Sequence, residues 1–321
     1  MAILGWFSSP TSVKEFLTSN RLASSLGEVS LFHIRLESAH TILAQASLGV
    51  LLRLDERVDR VSITGFPLAQ YAAEHWVDHV KLGNVLSHVK DGIDQLFDAD
   101  NPYLAAWLWL HNMEPSWGSG SFGTRPTRPE APPLYYAARI GHRALVEHVL
   151  SKRPQDVNAK GGHYRTPLHA AFFQRDVEVV WLLLENGADV NIRGLWDQTP
   201  LHRASVEGFP DVVRWLLGRG VDVNAQQNNL STALLLAALN GRLEIAKILL
   251  EHNAEVNASD GNGQVPLHKA SNRGTPELVR LLLKHGGNAN ARDKHGSTPF
   301  DVAKGRGNAE IIELLSEYVN E

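Results

Sequence analysis

Three histidines recur in one setting: His169 and His202 close Thr-Pro-Leu-His at Thr166–His169 and Thr199–His202, and His268 closes Val-Pro-Leu-His at Val265–His268. An imidazole can act as a base or a metal ligand because its charge changes near neutral pH. A second cluster, Glu74-His75-Trp76-Val77-Asp78-His79, sets two histidines at i, i+4 on one helical stripe, a spacing that can hold a divalent metal. Trp follows His75 where a metalloprotease helix carries Glu, so the general base of that chemistry is missing. Histidines and carboxylates on an amphipathic helix usually form a solvated face of i, i+4 pairs, and that structural reading is the stronger one. Cysteine is absent, which removes disulfides, thiolate metal sites and cysteine nucleophiles together. No Gly-x4-Gly-Lys-Ser/Thr occurs, so the loop that cradles nucleotide phosphates is missing too. Nothing pairs a nucleophile with a base. The expectation is a chain with no catalytic, cofactor or metal residues.

Length and composition bound what could position such groups. At 321 residues the chain is too long for one ordinary core, and two domains or one domain plus a repeat array are expected. Hydrophobic residues make up 43% and charged residues 21%, and mean hydropathy is -0.19, which is globular. The longest apolar runs, such as Leu234–Leu239, fall far below the ~18 residues of a membrane span. Met1–Phe7 has no basic n-region, so no signal peptide is read and the cytoplasm is expected, with the nucleus left open. The net charge of -4 argues against a general nucleic-acid binder. Residues 1–130 hold 10 basic and 14 acidic side chains, and 131–321 hold 21 of each. Gly, Ser and Pro crowd 114–130, which reads as a linker between a domain at 1–113 and another at 131–321.

The C-terminal part repeats. Thr166, Thr199, Thr232, Val265 and Thr298 open one slot at a constant step of 33. Asn158, Asn191, Asn224, Asn257 and Asn290 advance by the same 33. So do the apolar pairs Val179-Val180, Val212-Val213, Ile245-Ala246, Leu278-Val279 and Ile311-Ile312, each followed by Leu-Leu. Three series in phase over five periods resemble the ankyrin repeat. Proline at the first turn opens a short helix without losing a needed N–H, and Gly208, Gly241, Gly274 or Gly307 ends it. One helix pair cannot bury its apolar face alone, so the pairs must stack into a solenoid. Pro133–Leu150 fits as an earlier repeat, giving about six from roughly 130 to 321 and an all-α fold. The resemblance implies that His169, His202 and His268 bridge neighbouring loops by hydrogen bonds. Leu235 and Asp301 break that histidine series, and Arg175 stands where Gly is expected.

Residues 1–113 read as a small, mainly helical domain. Ser12–Leu22 is amphipathic, Phe32–Leu36 alternates like a strand, and His40–Leu54, Pro67–Leu82, Leu86–Phe97 and Pro102–Leu110 read as helices. Trp107 and Trp109 within the last are expected to be buried, with this domain capping the array. Val13–Ser19 and His40–Ala46 resemble the winged-helix tail that follows the NACHT domain in fungal signal-transducing NTPases, and Phe66–Trp76 is similar to their join to an ankyrin array. Without the phosphate loop, NTPase activity does not carry over.

The ankyrin resemblance implies function by binding, through hairpin tips and inner helices on a concave side. Carried onto this chain, that surface takes in Lys160, His163 and Arg165 of the second repeat and Arg193, Leu195 and Trp196 of the third. Asn228 and Asn229 follow from the fourth, Asn262 and Arg273 from the fifth, and Arg292, Lys294, His295 and Arg306 from the sixth. Across six slots in each of five repeats the strip counts seven basic residues against one acid, Glu207. Trp196 beside Leu195 is the natural apolar anchor, since Trp and Arg dominate interface hot spots; the alternative folds Trp196 back on Tyr164 or on its own hairpin. The expected partner is a protein or peptide, acidic and carrying an exposed apolar side chain, in fungal recognition signalling. The net-negative N-terminal domain is a candidate intramolecular occupant. The competing class is a fungal enzyme or small-molecule binder with a pocket between the helical domain and the array, lined by His33, His40, His75, His79, His88, His111, Trp107 and Trp109.

Overall fold

The structure, a computed structural model, describes residues 36–54, 68–81, 85–98, 100–111 and 128–319. The segments read at Ser12–Leu22 and Val13–Ser19, the strand at Phe32–Leu36 except Leu36, residue His33, and the linker up to 127 lie outside the described residues. Within them the chain forms sixteen α-helices and no strand. It divides into two compact units, 1–156 with 161–163, and 157–160 with 164–321.

The first unit holds α1 (Leu36–Leu51), α2 (Ala69–Val80), α3 (Val85–Leu96), α4 (Pro102–His111), α5 (Pro133–Ile140) and α6 (Arg143–Lys152). Helix α1 packs on α2 and α3, α2 on α4, and α3 against α6. By these contacts the first helix pair of the repeat series, α5 and α6, groups with the N-terminal helices. Trp76, Phe97 and Trp107 meet at the centre, with the two indoles edge to face at 5.4 Å, an arrangement their quadrupoles favour. The buried Trp107 N–H is satisfied by the carbonyl of Ala73 at 2.9 Å. His148 and Lys152 of α6 grip Asp94 of α3 at 2.7 and 3.1 Å.

The second unit stacks five helix pairs. Inner helices are α7 (Pro167–Gln174), α9 (Pro200–Glu207), α11 (Ala233–Leu239), α13 (Pro266–Arg273) and α15 (Pro299–Arg306). Outer ones are α8 (Val177–Glu185), α10 (Pro210–Leu217), α12 (Leu243–Glu251), α14 (Pro276–Lys284) and α16 (Ala309–Val319). Each inner helix packs on the next inner one, and α10, α12, α14 and α16 form an outer row. Thr166, Thr199, Thr232 and Thr298 cap the inner helices by accepting an N–H from the third helical residue. Leu183, Leu216, Leu249 and Leu282, each one repeat from the next, are all fully buried, as the repeat register requires. Arg175 ends α7 in the left-handed region at φ 60°, where Gly208 and Gly274 end their helices at 91° and 80°. It keeps the turn at a conformational cost glycine would not incur.

Candidate functional site

Between repeats the chain runs out into short hairpins, and these are built to one plan. Asp260 N–H closes on the Gln264 carbonyl at 3.0 Å, and Asp293 on that of Ser297 at 3.0 Å; Gly194 and Gln227 do the same in the third and fourth repeats. The turn inside ends on a left-handed residue, Gly263 at φ 76° and Gly296 at 78°, the familiar three-residue loop with a glycine bulge. The equivalent positions in the third and fourth repeats are Asp197 and Leu230, held at φ 62° and 63° without being glycine. The third hairpin goes further, because Trp196 is also left-handed at φ 56°. For a bulky side chain this is a genuine outlier, and such strain concentrates at functional positions.

Consecutive hairpins are tied tip to tip. The Trp196 carbonyl accepts from Asn228 N–H at 3.1 Å, Asn229 from Gly261 at 2.6 Å, and Asn262 from Lys294 at 2.9 Å, a ladder with one rung per repeat. Deeper in, the histidines join each inner helix to the next hairpin. His169 Nε2–H donates to the Gln198 carbonyl at 3.0 Å, His202 to Ser231 at 3.0 Å and His268 to Ser297 at 2.9 Å. Their Nδ1 atoms accept, from the Thr166 hydroxyl at 2.8 Å, from the Thr199 N–H at 3.2 Å and from the Val265 N–H at 3.2 Å. One proton per ring satisfies both bonds. Burial holds the His169 and His202 pKa down at about 4, against the opposing pull of the carbonyls. These rings are structural bridges.

The two breaks in that series have local answers. Leu235 fills its slot as a buried apolar side chain. Asp301 reproduces the cap instead, accepting from the Thr298 N–H and hydroxyl at 2.9 and 2.8 Å.

The candidate binding residues are placed as follows. Lys160, His163, Arg165, Arg193, Trp196, Asn228, Asn229, Asn262, Arg273, Arg292, Lys294, His295 and Arg306 are exposed, and Leu195 is half-buried; His163 belongs to the first unit. Tyr164 stacks on Phe173 at 4.3 Å, which puts the root of a hairpin and the end of an inner helix on one side of the unit. Trp196 does not fold back onto Tyr164; it stands 63% exposed.

Charge along the surface is uneven in a way a residue count does not show. Arg193 points one guanidinium nitrogen at the Asp197 carboxylate (2.8 Å), the Asp197 carbonyl (3.1 Å) and the Gln226 carbonyl (2.8 Å). Glu207 is taken by Arg175 at 2.7 Å and Arg203 at 2.5 Å. Sequence reasoning misses Asp197, which lies between the counted slots. It also misses the exposed Leu230, whose only signal is a large side chain at a tip position, while Phe173 and Leu239 fall in slots the repeat pattern does mark and are exposed there.

In the first unit, His79 has both ring nitrogens engaged, by Tyr71 Oη at 2.9 Å and by His40 Nδ1 at 3.0 Å. Burial, followed by the neighbouring His40 and His75, holds it at a pKa of about 4. His75 instead faces Glu74 and Asp78 at 3.7 and 3.5 Å, the pairing expected of a partly solvated helix face. Among the described residues no group of three His, Asp or Glu side chains could hold a metal. His88 is exposed; Trp107 is core, but Trp109, read as buried with it, is only half-buried. No helix among the described residues is long and apolar enough to cross a membrane.

A family model for ankyrin repeats matches three times, over residues 122–194, 192–260 and 234–321. The chain belongs to the ankyrin-repeat family. It is also 31% identical over 189 residues, 55% of its length, to the azaphilone pigments biosynthesis cluster protein L of Monascus ruber. The match covers 40% of that fungal protein, so the chain spans well under half of its relative's length. As an ankyrin-repeat chain it has the architecture of a protein-interaction module.

Proposed function

We propose that this ankyrin-repeat protein is a non-enzymatic interaction module that binds a protein or peptide on the surface formed by hairpin tips and inner helices. The observation that carries the reading is Trp196, a large aromatic held strained and 63% exposed at a hairpin tip whose backbone is tied to its neighbour. A side chain presented this rigidly loses little entropy on binding, and Trp is the commonest kind of hot spot. The resemblance of Val13–Ser19 and His40–Ala46 to the winged-helix tail of fungal NACHT-type proteins, and of Phe66–Trp76 to its join with an ankyrin array, supports a place in fungal recognition signalling. The relative named for an azaphilone pigments biosynthesis cluster supports a fungal setting for that role.

The test is selection of a displayed library of dodecapeptides on the full chain. Peptides so obtained should bind Trp196→Ala about 30-fold more weakly, the equivalent of ~2 kcal/mol at a hot spot. Binding unchanged by both Trp196→Ala and Lys294→Ala would place the ligand elsewhere and overturn the reading.

A further inference from the structure

Resting on that reading, we propose that the surface accepts one extended peptide in two chemically distinct halves: an aromatic or aliphatic block over repeats two to four, and a run of carboxylates over repeats five and six. The division follows from one register read along the array. The last turns of the inner helices place Phe173, Val206 and Leu239 at equivalent positions of successive repeats, and Phe173 and Leu239 are 49% and 42% exposed. Two hairpin tips add Trp196 and Leu230 to the same stretch, Leu230 at 48% exposure. In the next two repeats the same helix-end register carries Asn272 and Gly305 instead, each followed by arginine. Along this helix-end register the apolar residues stop where arginine begins.

The cations of the two halves also differ in what holds them. Around Trp196, Arg193 is paired with Asp197, and Arg175 and Arg203 share Glu207; Lys160 and Arg165, at the second-repeat end, are exposed. In the other half the partners are neutral: Arg292 donates to the Gly296 carbonyl at 2.8 Å and Arg306 to the Asn272 amide oxygen at 2.8 Å. Among the described residues no carboxylate lies within ion-pair distance of Arg273, Arg292, Lys294 or Arg306. The acids nearby already have donors. Asp260 is bound by Lys269 at 2.7 Å and by two hairpin N–H groups. Asp293 accepts from the His295 and Ser297 N–H groups and from Gln264, and Asp301 caps α15. Carboxylates on a partner are therefore the complementary chemistry for these four side chains.

Size fits a short segment. Neighbouring helices pack ~10 Å apart, so the third and sixth tips, with Trp196 and Lys294, stand roughly 30 Å apart. An extended chain covers that in about nine residues at ~3.3 Å each. The apolar block would supply most of the affinity by leaving water, and the carboxylates would fix direction and make binding salt-dependent.

The experiment selects the dodecapeptide library in parallel on the wild-type chain and on Arg273→Glu/Arg306→Glu. Wild-type pools should carry an apolar block followed or preceded by Asp and Glu. The reversed protein should select Lys and Arg at the same distance from that block. Wild-type peptides should bind the reversed protein roughly tenfold more weakly and lose their salt dependence. Arg273→Gln/Arg306→Gln, which keeps most of the side-chain length, gives an intermediate loss if charge is the cause. Pools of identical charge from both proteins would overturn the two-part proposal while leaving the hairpin-tip reading intact. Peptides indifferent to Trp196→Ala and Lys294→Ala as well would overturn both, and so would a library that yields no binder.

Discussion

The backbone carbonyl of Trp196 accepts the N–H of Asn228 at 3.1 Å, so the most exposed aromatic of the array sits on the first rung of a ladder running from hairpin to hairpin. The next two rungs, from Gly261 to Asn229 and from Lys294 to Asn262, repeat it in the two repeats that follow. A tip that also forms a rung cannot swing freely, because moving it opens a bond to its neighbour. Rigid presentation of side chains is thus a property of the array rather than of one loop.

That rigidity is obtained against local strain at Leu230, which occupies at φ 63° the position filled by Gly263 and Gly296 in later repeats. A left-handed conformation costs a non-glycine residue about 1–2 kcal/mol, while glycine loses more backbone entropy on folding. Leu230→Gly should therefore leave the protein more stable than Leu230→Ala by roughly 1 kcal/mol, read as a higher midpoint in urea. Equal midpoints would show that the tip is not strained.

The buried leucines make the opposite case. Leu183, Leu216, Leu249 and Leu282 are fully buried at equivalent sites, so truncation to Ala should cost about 2–5 kcal/mol at each. The four costs should agree more closely with one another than with any exposed site such as Leu243→Ala. A near-neutral Leu249→Ala would put the register in error.

Why these leucines can be read from sequence and the surface chemistry cannot is a matter of period. Burial recurs once per repeat, so each repeat confirms the others, and Thr caps, histidine bridges and buried leucines all follow the step. Strain at Trp196 and Leu230 breaks the period and leaves no mark beyond a missing glycine. The pairing of Arg193 with Asp197 is hidden because charge counting over chosen slots omits what stands between them. In the first unit, His40 and His79 meet at 3.0 Å across 39 residues with no repeat to announce it. Helix α2 begins at Ala69, just inside the span read from Pro67, since Leu68 serves as its N-cap.

Acid should loosen the array. His169 and His202 are held near pKa 4 by burial, while an unfolded histidine titrates near 6.5. The folded state thus binds fewer protons, and stability is full above pH 6.5 and falls as pH drops towards 4. Each histidine should contribute about 1–2 kcal/mol of loss by pH 5. His202→Leu, the residue the fourth repeat carries at Leu235, should lower stability at pH 7 because the Ser231 carbonyl loses its donor. It should also flatten the acid slope, measured by urea unfolding at pH 7 and pH 5. A slope unchanged by His202→Leu would mean that this ring does not report the transition.

The repeat pattern marks Arg193 as a partner contact, and its hydrogen bonds also hold the hairpin that carries Trp196. One guanidinium nitrogen spans Asp197 and the Gln226 carbonyl, which closes the third hairpin and fastens it to the fourth. A charged donor on two backbone carbonyls is stronger than an exposed ion pair alone. Arg193→Ala should therefore cost only about 1 kcal/mol of stability and still release the tip. Hydrogen exchange at the Gln198 and Asn228 amides, which bond within and between these hairpins, should speed up while distant rungs such as Lys294 stay protected. For a selected peptide, Arg193→Ala and Trp196→Ala should be non-additive, since the first removes the presentation on which the second depends. Arg193→Lys, which keeps the charge but not the fork, should restore little of the lost affinity. Full rescue by Lys, or strict additivity with Trp196→Ala, would return Arg193 to the role of a direct contact.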